Sequence, residues 1–250
     1  MTYLSRVRAI DNSIIQLEVE DNDKELLHVW CGHVRYNPKY GSRDTTADVW
    51  ALELAPLTSL GSAVQAVGGK ERERLSVAGG ELVVHDCKDP QDARWAAWLG
   101  PWHMVHGMFY APEWETKDII DTFARVAWTD TPEGMTADAG QRFQLSMAMY
   151  TQTIAGVGSL LVEPKQTSSK RIPAWRGYET SAGEIWRDDD ESNTHAQPLI
   201  MVTDTAVVTL SPWDAPRQDR PGVSVRSLGV AAEDAAATFL TKIKRLEWTA

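Results

Sequence analysis

The chain has 250 residues, 43% of them apolar and 24% charged, a balance that excludes a disordered chain and permits one large domain or two small ones. Its formal net charge of -10 argues against general nucleic-acid binding, which needs a basic face to neutralise phosphates. Two cysteines make no disulfide framework, residues 1–8 lack the apolar core of a signal peptide, and no uncharged apolar run is long enough to span a bilayer. These features predict a cytoplasmic protein, or a subunit of a particle assembled in a cytoplasm, without a membrane partner.

Taken in order, Ile15, Leu17 and Val19 alternate with Gln16 and Glu18, the period of a strand with one buried face. Leu26 to Tyr36 is apolar on both faces and reads as a central strand, and Val49 to Leu54 resumes alternation. Leu57, Leu60, Val64 and Val67 fall on one helical face that Gly68-Gly69 would close. The run Lys70 to Arg74 carries its own counter-charges, as a solvated face does. Arg74 to Ala78 and Glu81 to Cys87 flank Gly79-Gly80, a two-residue hairpin signal. Asp92 to Leu99 spaces Trp95 and Trp98 as two helical turns, closed by Gly100-Pro101.

Beyond Thr116, a plausible N-cap, Ile119, Ile120, Phe123 and Ala127 predict an amphipathic helix. Phe143 to Met149 and Gly156 to Val162 suggest a hairpin, Trp175 to Arg187 a strand, and Leu199 to Thr203 with Ala206 to Leu210 a strand pair. Pro212 to Gly222 has no periodicity and reads as a loop. Ala236, Phe239, Leu240, Ile243 and Leu246 mark a C-terminal helix whose charges match its dipole. No repeat of solenoid period is visible. The expected fold class is therefore α+β: mainly antiparallel β-sheet with an amphipathic central helix and a C-terminal helix. A β-rich half, 1–110, precedes an α+β half, 111–250, and the two are open to forming a single domain.

The sharpest chemical pattern is a mirrored pair of tripeptides, Cys31-Gly-His33 and His85-Asp-Cys87. Residues two apart on a strand share a face, so four ligands for a zinc ion would converge if the two strands paired. The usual structural-zinc spacing of two cysteines is absent, and the alternative is that both thiols are small core residues. His103 and His106 lack the glutamate of a helical metalloprotease motif. Asp188 to Glu191 lacks the glycine and glutamate of a calcium loop, and Gly156-Val-Gly158 lacks the third glycine of a dinucleotide fingerprint. No nucleophile elbow or phosphate loop occurs.

The eleven tryptophans remain. Trp95, Trp98, Trp102 and Trp114 crowd one stretch, and Trp175, two residues after Pro173, and Trp213, next to Pro212, stand in loop-like contexts. Trp is enriched at protein interfaces, and the competing reading for each is core packing. The sequence thus points to a non-enzymatic interaction or assembly protein, such as a virion or secretion-apparatus subunit or an inhibitor of a protein partner. It would bind another protein, or itself, through Trp95, Trp98, Trp102, Trp114, Trp175 and Trp213, without a cofactor. The alternatives are a zinc-containing small-ligand protein or hydrolase, and a carbohydrate-binding module.

Overall fold

The computed structural model describes residues 2–20, 31–38, 50–88, 93–110, 114–138, 143–188, 197–212 and 225–249. In chain order they form β1 (Thr2–Arg8), β2 (Ile14–Glu20), β3 (Cys31–Pro38), β4 (Trp50–Pro56), α1 (Leu60–Val67), β5 (Lys70–Val77), β6 (Gly80–Asp86), β7 (Ala93–Leu99), β8 (His103–Tyr110) and α2 (Thr116–Ala124). They continue as β9 (Ala127–Thr131), β10 (Gly134–Asp138), β11 (Phe143–Ile154), β12 (Gly158–Pro164), α3 (Lys165–Ser168), β13 (Tyr178–Glu179), β14 (Glu184–Arg187), β15 (Leu199–Val202), β16 (Ala206–Pro212), α4 (Val225–Thr241) and β17 (Ile243–Thr249). Antiparallel sheet dominates. The chain divides into a terminal unit, Met1–Val7, Ile14–Trp30 and Met149–Ala250, and a central unit, Arg8–Ser13 and Cys31–Ala148. The change of unit falls at 148/149, inside β11, and not near residue 110.

In the central unit the strand order is β3-β4-β8-β7-β6-β5, and β9 pairs antiparallel with β10. One face of the six-stranded sheet is covered by α1, whose Leu60, Val64 and Val67 pack with Leu57 against Val83, Cys87, Trp95, Ala97, Leu99 and Met104. Gly68 ends α1 in the left-handed conformation at φ 59 and donates its backbone N–H to Val64 O, as a glycine C-cap does. Trp98 stacks on Trp128, and Phe109 packs against Phe123 of α2. Trp98 and Phe109 belong to the opposite register rows from Trp95 and Met104, so both faces of the sheet are covered.

In the terminal unit the order is β13-β14-β15-β16-β12-β11, with a second group β17-β2-β1. Helix α4 contributes buried Ala236, Phe239 and Leu240 and contacts β15 and β16. Tyr150 meets Trp248 of β17 edge to face.

Placed side by side, the two units have the same topology. Central β3-β4-α1-β5-β6-β7-β8-α2-β9 corresponds to terminal β11-β12-α3-β13-β14-β15-β16-α4-β17, and the sheet orders match strand for strand. The registers agree as well. Glu81 pairs with Leu99 as Glu184 pairs with Val202, Ala55 pairs with Met104 as Glu163 pairs with Val207, and Pro56 pairs with His103 as Pro164 pairs with Ala206. Gly80 and Gly183 are equivalent: a Cβ on the first would lie 2.6 Å from Leu99 O, and on the second 2.0 Å from Val202 O. The chain is a structural duplication.

Several sequence expectations change. Within the expected helical stretch Asp92 to Leu99, the described residues Ala93–Leu99 are strand β7. The hairpin before β6 turns on Ala78-Gly79, both at positive φ as a type I′ turn requires, with Gly80 already in the strand. Thr116 is the first helical residue of α2, and Glu115 is the N-cap in a capping box with Asp118. Trp175 to Arg187 holds two short strands, β13 and β14, around a turn. The C-terminal helix stops at Thr241, and Ile243, Leu246 and Trp248 are the buried face of β17.

Candidate functional site

The strand order does not bring the four proposed zinc ligands together. Cys31 and His33 lie on β3, His85 lies on β6 with Cys87 directly after it, and β4, β8 and β7 run between them. Four inter-strand steps amount to about 19 Å at about 4.8 Å each, too far for one tetrahedral ion. Cys87 is instead a buried member of the core beneath α1, and burial pushes its thiol pKa up, the reverse of an activated thiolate. Among the described residues no group of three or more His, Cys, Asp or Glu is placed to hold a metal ion.

His85, 6% exposed, packs edge-on against Trp95, and its Nδ1 has no hydrogen-bond partner. Burial lowers its pKa, Glu71 acting in the opposite sense and Arg74 adding to the depression. On the other side of Trp95, its indole Nε1 donates to His106 Nδ1 at 3.3 Å, which leaves the proton of a neutral His106 on Nε2, facing Glu53 at 3.7 Å. His103 and His106 share no face: both are in β8, three residues apart, and a strand sends such positions to opposite sides.

His103 makes the most organised polar contact of the central unit. Its Nδ1 is 2.6 Å from Asp130 Oδ1, while Asp130 Oδ2 accepts the backbone N–H groups of Trp102 at 2.7 Å and His103 at 2.9 Å. The Asp130 side chain is 1% exposed. Gly100 makes room for it, since a Cβ there would lie 2.3 Å from Asp130 Oδ2. A carboxylate so placed fixes His103 with its proton on Nδ1 and its lone pair on Nε2, the form of a general base. Among the described residues no hydroxyl or thiol is hydrogen-bonded to His103, so the pair has an orienting group and a base without a nucleophile. Sequence reading missed Asp130, because nothing in Trp128-Thr-Asp130 marks a residue whose partners lie about thirty positions away.

The tryptophans separate into two groups. Trp95 and Trp98 are each 2% exposed and belong to the core, not to a contact surface: β7 is central, and its alternate side chains enter the two covered faces. Trp114 is half-buried, set edge-on to Phe109, with its carbonyl accepting from Arg94. Trp102 and Trp175 are exposed at 53% and 58%. Trp213 lies outside the described residues.

Trp175 stands on the rim of a groove of about 640 Å³ in the terminal unit, lined by Lys165, Ile172, Ala174, Trp186, Val202 and Asp204 among others. Trp186 Nε1 donates to Trp175 O at 2.8 Å, and Gly177 N donates to Glu184 Oε2 at 3.0 Å, so the loop 172–177 is fixed to β14. A Cβ at Gly177 would lie 2.7 Å from the Trp186 ring. Lys165 Nζ donates to Thr203 O, and Arg176 pairs with Glu179. A smaller cleft of about 530 Å³ in the central unit is lined by Arg8, Asn12, Glu133 and the threonines 129, 131 and 136.

Compared with protein-family models, with curated proteins and with solved structures, the chain has no match. Among the described residues no helix is long and apolar enough to cross a membrane.

Proposed function

We propose that the chain is a non-enzymatic interaction or assembly protein that engages a protein partner, or a second copy of itself, through Trp102 and Trp175. The observation that carries this reading is the exposure of these two rings at positions the fold does not require to be aromatic. In the duplicated topology Trp102 corresponds to Thr205, which serves the same turn by accepting the backbone N–H of Trp248 at 2.9 Å. Trp175 lies in a loop with no counterpart ring. Exposed Trp is costly in water and is the residue most enriched at binding hot spots.

The test is capture of binding partners by the tagged full chain, compared with Trp102→Ala and Trp175→Ala, each checked for an unchanged melting temperature. The reading expects a saturable partner or self-assembly lost by at least one variant. Equal capture by all three proteins would refute it. A hydrolytic reading has one favouring observation, the His103–Asp130 pair, in which His103 would take a proton from water. Turnover of an ester or amide substrate that disappears in His103→Ala at unchanged stability is the result that would establish it.

A further inference from the structure

We infer that the groove beside Trp175 is a saccharide site, taking a neutral oligosaccharide whose pyranose rings lie flat on the Trp175 indole. This goes beyond the interaction reading and does not depend on it.

The duplication supplies the comparison. Equivalent backbone bonds fix the correspondence. Leu57 N donates to Trp102 O at 2.8 Å as Lys165 N donates to Thr205 O at 2.9 Å, and Gly100 N donates to His103 O as Thr203 N donates to Ala206 O. Lys165 therefore stands where the central unit has Leu57, Asp204 where it has Pro101 and, by sheet register, Trp186 where it has Val83. Leu57 and Val83 are packed in the apolar cluster under α1, which leaves no opening for a ligand. In the terminal unit the connection is five residues shorter, Pro164 to Tyr178 against Pro56 to Leu75 between equivalent register positions. A cleft of about 640 Å³ opens there, lined by Lys165, Asp204, Glu184, Trp175 and Trp186 among others. One copy of the fold thus has an apolar contact where the other has a cation, two carboxylates and two indoles. Such a local departure from the packing rule is expected at a functional position.

The lining selects the ligand. The exposed Trp175 ring is an apolar plane with room for the C–H face of a sugar. Its loop is already tied to β14 through Trp186 Nε1 to Trp175 O and Gly177 N to Glu184 Oε2, so little freedom is lost on binding. The polar groups around the ring keep bonding capacity. Lys165 Nζ gives one of its three protons to Thr203 O, Glu184 uses one carboxylate oxygen on Gly177 N, and among the described residues the Asp204 carboxylate has no partner. An anion would meet Asp204 and Glu184, and a cation would meet Lys165 and Arg176, so the groove attracts neither by charge. Hydroxyl groups, which both donate and accept, fit a rim of mixed donors and acceptors. The volume lies within the roughly 300–1,000 Å³ of built ligand clefts, room for more than a single ring. With one exposed indole at the rim, a flat chain of equatorially linked rings keeps its contact, and a coiled chain does not.

The probes are cellohexaose, chitohexaose and β-1,4-mannohexaose, with maltohexaose as the coiled control. Each is titrated into the full chain with ¹⁵N-labelled indoles, the signals assigned by single Trp→Phe variants. The inference expects at least one flat probe to shift the Trp175 signal saturably at millimolar concentration or below, and to leave Trp102 and Trp128 in place. Maltohexaose should bind at least tenfold more weakly. By calorimetry, Trp175→Ala should weaken the flat probe at least tenfold and Asp204→Ala at least threefold, each at unchanged melting temperature, whereas Trp175→Tyr keeps an aromatic plane and should retain most of the affinity. No Trp175 shift from any of the three probes up to millimolar concentration would overturn the inference. So would an equal response to maltohexaose, undiminished binding by Trp175→Ala, or a Trp175 shift produced by choline chloride or inorganic phosphate and not by sugar.

Discussion

At the level of single residues, Asp130 shows how a loop and a strand are joined by one carboxylate. Its Oδ2 holds two backbone N–H groups and its Oδ1 the His103 ring, so truncation leaves three donors without this acceptor, the two on His103 half-buried. Asp130→Ala is expected to cost about 2–4 kcal/mol, read as a lower urea midpoint, with Asp130→Asn less damaging because it keeps an acceptor; an unchanged midpoint would mean the turn is held by something else. His85 supplies a pH dependence. Burial holds it neutral in the folded chain, while the unfolded chain protonates it near its ordinary value of about 6.5. The unfolded state then binds more protons, so stability is fully present above about pH 6.5 and declines as pH falls toward the depressed folded value. His85→Leu should flatten that acid limb in denaturation curves from pH 7 to 5. At pH 7 it should change stability by less than about 1 kcal/mol, since an unpaired buried nitrogen is removed. A steeper limb in the variant would contradict this assignment.

At the level of elements, alternation was legible where one face of a strand is buried, as in Ile15-Leu17-Val19, and turn chemistry at Asp204-Thr205 marked the pair Leu199 to Leu210, whose strands are buried on both faces. They failed where a strand imitates a helix. Trp95 and Trp98 are three apart because β7 is covered on both sides and sends one ring to each. Ile243 and Leu246 are three apart because the register shifts between Ile243 and Arg245, so the inserted residue of a bulge restores a helical spacing by coincidence. The exposed edge strand β5 was correctly read as a solvated face; its Arg72 pairs with Asp86 of β6 and its Arg74 with Glu71 and with Glu81 of β6 on the surface, which discourages edge-to-edge pairing. The equivalence of the two hairpins predicts parallel effects: Gly80→Ala and Gly183→Ala each drive a Cβ into the carbonyl that ends the neighbouring strand. Both should destabilise by about 2–4 kcal/mol. A neutral result at one position alone would break the correspondence.

At the level of the whole molecule, the duplication was not legible because register, not identity, is what the two units share. Gly80-Glu81-Leu82 against Gly183-Glu184-Ile185, and Pro56 against Pro164, are short echoes, and the five-residue difference between β4 and β6 shifts the frame around them. Of the candidate site, the prominence of tryptophan was legible; which rings are core was not, since that depends on the order β4-β8-β7-β6 and not on spacing. The mirrored Cys and His tripeptides fail for the same reason. The duplication also gives Trp102 and Trp175 their meaning, because each has a counterpart position at which the fold manages without an indole. The measurement that tests this most directly is hydroxyl-radical footprinting of the purified full chain, read tryptophan by tryptophan by mass spectrometry. The account predicts fast oxidation of Trp102 and Trp175 and slow oxidation of Trp95, Trp98, Trp186 and Trp248. Protection of Trp175 in the isolated chain, or oxidation of Trp95 and Trp98 at the same rate, would contradict it.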